Sequence, residues 1–235
     1  MKKWFTIAAS MIAAVSVLSC TKIFPGDDDP KVPVTGDEDG NLVFNCPEAY
    51  GYFNGQYSDE NGNLIDYDYY TVEFDTEGIS FDESNGFTGT GYVAFIAIDT
   101  EHTASIAIPE GIYSSDVDPD SGFYAYPGGF GTGDDGTGYV YPAYIIKIVN
   151  FESEIILAEK VKLTVSSSAS NYMFKAELTD AAGNVYVFNY NGALEIGDYS
   201  DLDVYAAQAK SSLSKKALVK KLQNRKKAAA SHPTK

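Results

Sequence analysis

The sequence predicts an all-β protein: a single antiparallel β-sandwich or barrel-like domain with a C-terminal basic helical tail. Two observations carry this. Between Asn41 and Ser200, short runs rich in Val, Ile, Tyr and Phe are separated by Gly, Asn and Asp, which is the signature of strands and turns. After Ser200 the composition reverses: Asp201 to Ala230 lacks Gly and Pro, and Leu202, Ala206, Ala209, Leu213, Ala217 and Leu222 fall near helical spacing.

The first segment, residues 1–19, reads as a signal peptide. Lys2 and Lys3 precede an apolar run from Trp4 to Leu18 that is too short to span a bilayer and ends at small residues. The run closes in Val17-Leu18-Ser19-Cys20, which resembles a bacterial lipobox and implies lipidation at Cys20 and attachment to a membrane. Residues 20–40 follow as an acidic tether. Pro25, Pro30 and Pro33 alternate there with Asp27-Asp28-Asp29 and Asp37-Glu38-Asp39, leaving almost nothing to bury.

The β domain is expected over residues 41–200. Its strands are read at Leu42–Cys46, Ala49–Asn54, Tyr69–Asp75, Gly91–Asp99, Ala104–Ile108, Phe123–Tyr126, Tyr139–Val149, Ile155–Val165, Tyr172–Thr179 and Val185–Tyr190. The clearest unit is the last pair. Phe174, Ala176 and Leu178 alternate with Lys175 and Glu177, then Asp180-Ala-Ala-Gly183-Asn184 turns the chain back into a hairpin, with the preceding strand as its third member.

Charge is strongly segregated. All 33 acids lie between Asp27 and Asp203, where only five lysines occur, a net of −28 that excludes nucleic acid as a partner; from Lys210 onward eight lysines and Arg225 stand without an acid. The tail over residues 201–235 has three readings: a helix docked on its own acidic domain, a segment binding anionic lipid, or a solvated extension. Cys46 is the only cysteine besides Cys20, so no disulfide framework is expected, and it reads as a small buried residue.

Several motifs lose their chemistry on inspection. Gly131-Thr-Gly-Asp-Asp-Gly136 has dinucleotide-loop spacing, but no helix pattern follows and Asp134 and Asp135 would face the phosphates; it reads as an acidic loop. Asp116-Val-Asp118-Pro-Asp120-Ser-Gly122 opens like a calcium loop, yet the glycine comes one residue late and Pro127 stands where the twelfth-position Glu belongs; a solvated turn is the leading reading and no metal is assigned. His102 and His232 are the only histidines, too few for a zinc set or a triad, and no cofactor is expected.

Aromatic residues are the remaining signal. Phe123, Tyr124, Tyr126, Phe130, Tyr139, Tyr141 and Tyr144 flank the Gly-rich stretch from Gly128 to Gly138. Tyrosine combines an apolar face, a hydroxyl and little rotamer entropy, so Tyr124, Tyr126, Phe130, Tyr139, Tyr141 and Tyr144 are the candidate ligand-binding set; the same rings could instead alternate between core and solvent along two strands.

The order of lipobox, acidic tether, NLVFNCPEAYGYFNGQYSDENGN, IAIPEGIYS and AELTDAAGNVYVFNYNGAL resembles Bacteroidetes-type surface lipoproteins. The resemblance covers Cys20 to Leu194 and its phrases are strands and turns. It implies an all-β lipoprotein of the outer membrane, surface-exposed through its acidic tether, and carries nothing over to the tail. The expected role is a binding module for a glycan or a surface protein, without catalytic residues. The alternatives are a carboxylate-dependent glycoside-active enzyme and a structural subunit of a surface assembly.

Overall fold

The computed structural model describes residues 35–58, 64–82, 86–132, 138–149, 152–168 and 171–200. The segment read as a signal peptide, Cys20, most of the segment read as a tether, residues 133–137 and the tail read as helical all lie outside the described residues. Within them the chain is β throughout: β1 Thr35–Gly36, β2 Leu42–Asn45, β3 Glu48–Ser58, β4 Leu64–Asp75, β5 Ile79–Asp82, β6 Gly86–Gly89, β7 Gly91–Glu101 and β8 Gly111–Ser114. After a 3₁₀ turn at Pro119–Ser121 come β9 Phe123–Ala125, β10 Gly129–Thr132, β11 Gly138–Tyr141, β12 Tyr144–Val149, β13 Glu152–Ser168, β14 Asn171–Asp180, β15 Val185–Gly192 and β16 Glu195–Asp198.

Twelve of these strands form one sheet, ordered β1-β2-β15-β14-β13-β8-β9-β7-β4-β3-β16, with β12 paired to both β13 and β7. Two long strands make the closure. β7 pairs with β12 through residues 91–95 and with β9 through residues 98–100, while β13 pairs with β12 through 152–157 and with β8 through 162–165. A bridge from Ser114 to Tyr124 joins β8 to β9, so β7, β12, β13, β8 and β9 close a five-stranded barrel carrying extra strands on both sides.

The expected all-antiparallel pairing is corrected at three places: β2 with β15, β3 with β16, and β8 with β9 are parallel. The first two arise because β15 and β16, late in the chain, return beside β2 and β3 and run in the same direction. The described structure also begins inside the segment read as tether, where Thr35 and Gly36 pair with Val43 and Leu42.

One core sits between the two halves of the sheet. Alternate residues of β4 and β7 (Tyr70, Val72, Phe74; Ala94, Ile96, Ile98) meet Val161, Leu163, Val165, Phe174, Ala176, Leu178 and Phe188 of β13, β14 and β15. Phe74 lies edge-on to Phe174 at 5.7 Å, and Phe44 of β2 contacts Phe188 and Tyr92 at 4.9 and 4.7 Å. Cys46 is buried in this core as a free thiol. Where the barrel closes, the Gly128 amide donates to Ala158 O at 2.7 Å, and a Cβ on Gly128 would stand 1.9 Å from Ala143 O, so only glycine lets these backbones approach.

Two strand assignments change. The run read as Tyr139–Val149 divides into β11 and β12 because Pro142 has no amide to donate and Ala143 turns its carbonyl to Ala158 N at 3.1 Å. Ala104–Ile108 is not a strand. Side-chain groups hold that segment's entry instead: Asp68 accepts from Thr103 N at 3.2 Å and contacts His102 Nδ1 at 2.8 Å. The hairpin read at Asp180–Asn184 forms as expected, with Asp180 Oδ1 accepting from the amides of Ala182 and Asn184 at 2.9 Å.

Candidate functional site

Strand pleating gives β3, β4 and β7 a second, outward face, and it is crowded. Across it, Tyr50 stands opposite Glu73, Glu73 opposite Phe95 and Phe95 opposite Tyr144; in the next row Tyr52 faces Thr71 and Thr71 faces Ala97; beyond it Tyr69 faces Asp99 and Asp99 faces Tyr124. Two small hairpins cover one end. Phe87 of the β5–β6 pair and Val140 of the β10–β11 pair pack on Val93, Phe95, Tyr144, Ile146 and Ile148, forming a second apolar layer.

The polar end of this face joins tyrosines to carboxylates. The Tyr52 phenol donates to Glu73 Oε2, and Tyr199 leans on the Tyr52 ring with centroids 5.6 Å apart. Tyr126 donates to Asp99 Oδ2 at 2.6 Å, Tyr69 meets Tyr126 edge-on at 5.9 Å, and Tyr124 meets it edge-on at 4.9 Å. Glu73 and Asp99 are buried, and each accepts from one of these phenols, as buried carboxylates require. Burial, then the neighbouring carboxylate (Glu73 for Tyr52, Asp99 for Tyr124), pushes both phenols above the usual tyrosine range, so both stay protonated.

The structure separates the six aromatic candidates. In β9, Phe123 and Ala125 turn to the main core while Tyr124, and Tyr126 just after the strand, share the outward face with Asp99. Phe130 on β10 is 70% exposed. Tyr144 is 2% exposed and packs on Phe95 at 5.1 Å, so its ring belongs to the second apolar layer and offers no surface. Tyr139 and Tyr141 pair through their backbones with Gly131 and Gly129 in the β10–β11 hairpin; the positions of their rings lie outside the described residues.

Reading aromatics near the glycine loop missed the other half of the site: Tyr52, Tyr69, Glu73, Asp99 and the half-exposed Phe81, which lies edge-on to Phe87 at 5.0 Å. The available signal was Asp66-Tyr-Asp-Tyr-Tyr-Thr-Val-Glu-Phe-Asp75, where alternation assigns Tyr67, Tyr69, Thr71, Glu73 and Asp75 to a second face opposite Tyr70, Val72 and Phe74. Of the calcium-like run, Asp118 caps the 3₁₀ turn by accepting from Asp120 N at 3.0 Å, and Gly122 ends it at φ 71°. Among the described residues, no group of three or more His, Cys, Asp or Glu is placed to hold a metal ion. Comparison with family models, with curated proteins and with solved structures finds no match to this chain.

Proposed function

We propose that this chain is a lipid-anchored outer-membrane protein, displayed at the cell surface, whose β domain is a non-catalytic module binding a glycan, or a protein partner, at the Tyr124–Tyr126 end of the outward face. The observation that carries the reading is the edge-on pair of Tyr124 and Tyr126, with the Tyr126 phenol fixed on Asp99 and exposed Phe130 four residues further on. Rings held before the ligand arrives lose little entropy on binding, and a sugar's C–H face stacks on them while phenols supply hydrogen bonds.

The test is calorimetry of the full chain against a panel of polysaccharides, with the mixtures then assayed for new reducing ends. Saturable heat without products, weakened at least tenfold by Tyr124→Ala and by Phe130→Ala while the circular dichroism spectrum holds, supports the reading. Heat with products overturns its non-catalytic part, and wild-type affinity in both variants overturns the site.

A further inference from the structure

The rings at the Tyr124–Tyr126 end sit among acids. β8 and β9 are joined by the single bridge from Ser114 to Tyr124, so the loop of residues 115–122 leaves the barrel beside Tyr124 and returns at Phe123, the residue before it. Asp116, Asp118 and Asp120 of this loop are exposed. The loop is fixed in place: the Asp116 amide donates to Ser114 Oγ at 3.1 Å, and the Tyr67 phenol donates to Asp120 O at 2.5 Å. At its end, a Cβ on Gly122 would stand 2.8 Å from Glu101 Cγ and 3.2 Å from Tyr67 Cε1. Glu101 is exposed and stands opposite Tyr67, one outward row beyond Tyr69, Asp99 and Tyr124.

Cations do not offset these charges. In register, the nearest lysines are Lys162, opposite Ser114, and Lys160, two residues before it. Each has an acid of its own: Lys162 reaches Glu177 at 3.7 Å on the flank away from Ser114, and Lys160 follows Glu159 in the chain. His102 is turned to Asp68, on the inward side of β4. With Asp99 held under Tyr126, the ring end of the outward face is net negative.

We propose that the ligand of this end is an uncharged glycan, and that Glu101, Asp116, Asp118 and Asp120 turn anionic glycans away; the inference rests on the glycan reading of the Tyr124–Phe130 site. The rings supply the contact, and the acids set what the rings admit. A neutral chain loses little beside them, because its hydroxyls donate to carboxylates as they do to water. A uronate or a sulfated chain brings like charges that no cation at this end neutralises. In water, two like charges about 10 Å apart weaken binding about twofold, so four carboxylates together amount to about tenfold. Glu101 is well within that range, since two residues along β7 separate it from Asp99 by about 7 Å.

Calorimetry of the full chain tests the selectivity with a neutral β-glucan, mannan, galactan and xylan, each beside its carboxymethyl derivative, and with chitosan as a cationic chain. Saturable heat is expected from at least one neutral chain. Its derivative should bind at least about tenfold more weakly in about 0.01 M salt, where the screening length is about 30 Å, and within about twofold in 1 M salt, where it is about 3 Å. The triple variant Glu101→Gln, Asp116→Asn, Asp120→Asn, which keeps the Asp118 cap, should narrow the low-salt gap severalfold. Equal affinity for a neutral chain and its derivative at low salt overturns the selectivity and leaves the glycan reading standing. A gap that neither salt nor the variant changes does the same, because size and not charge then excludes the derivative. Binding of the derivatives alone, or of chitosan alone, overturns the uncharged class. Silence from the whole panel overturns the glycan reading and this inference with it.

Discussion

The outward faces of the two halves of the sheet are built from strands of similar length and come out differently. On β14, exposed Met173 and Lys175 alternate with buried Phe174 and Ala176, and the strand presents one layer to solvent. On β7, all residues from Gly91 to Thr100 are buried, because the β5–β6 and β10–β11 hairpins and the tyrosine–carboxylate network cover its second face. A strand's alternation is therefore informative only where one side is wet. The covered face holds Asp99, Glu73 and the tyrosines in fixed positions; the open face leaves Lys160, Lys162 and Lys175 exposed to water.

The comparison breaks most sharply at Phe95. Its ring joins Tyr144 and Phe87 in the second apolar layer, at 5.1 and 6.1 Å. Phe95→Ala should cost about 3–5 kcal/mol by lost burial and a cavity, measured by urea denaturation. If the hairpins were only draped over β7, the loss would stay below about 1 kcal/mol, within the range of surface substitutions.

Next in size is the Tyr52–Glu73 pair. Tyr52→Phe removes the donor from a buried carboxylate and should cost about 1.5–3 kcal/mol, the range for hydrogen bonds to charged groups. Buried phenols on both sides of the sheet set an alkaline limit. Tyr52 is raised well above its ordinary value by burial and then by Glu73, and Tyr186 is pushed up to about 12 by burial and then by Asp180. A group raised in the folded state favours folding below its unfolded value of about 10, and that contribution is lost as pH climbs toward the folded value. Stability should hold from neutrality to about pH 10 and fall above it, with unfolding and tyrosinate absorbance rising together; ionisation well before unfolding would place these phenols in water.

The fold was legible where local chemistry decided it. Alternation at Phe174–Leu178 and the turn at Asp180–Asn184 fixed the β13–β14–β15 meander, and the tight spacing of Gly, Asn and Asp marked most other turns. What escaped is set by long-range contact. Four-residue strands such as β8 and β16 have too few positions for a pattern, and the parallel returns of β15 and β16 depend on partners more than a hundred residues distant in the chain. The candidate site was half legible for the same reason. Tyr124 and Tyr126 stood out beside the glycines, but their Asp99 and Tyr69 neighbours come from β7 and β4, and Tyr144 is drawn into the core by the hairpin above it.

His102 extends the comparison to the inward side of β4, where Asp68 continues the row of Tyr70, Val72 and Phe74. Asp68 is 1% exposed and is served by His102 Nδ1 at 2.8 Å and by Thr103 N at 3.2 Å. His102→Ala should cost about 1–3 kcal/mol by leaving a buried acceptor short of a partner, whereas His102→Asn, which keeps a side-chain donor, should recover part of the loss. Equal stability of the two variants would show that Thr103 alone satisfies Asp68.

The smallest effect belongs to the open face and is the control for all the others. Met173 stands on β14 opposite Ser166 and Asn191, 39% exposed, with no second layer above it among the described residues. Met173→Ala should change stability by no more than about 0.5 kcal/mol. The contrast with Phe95→Ala is the measurement that matters, since both substitutions truncate an outward-facing apolar side chain on a strand. A large loss at Met173 would mean that this face, too, is covered by a second layer.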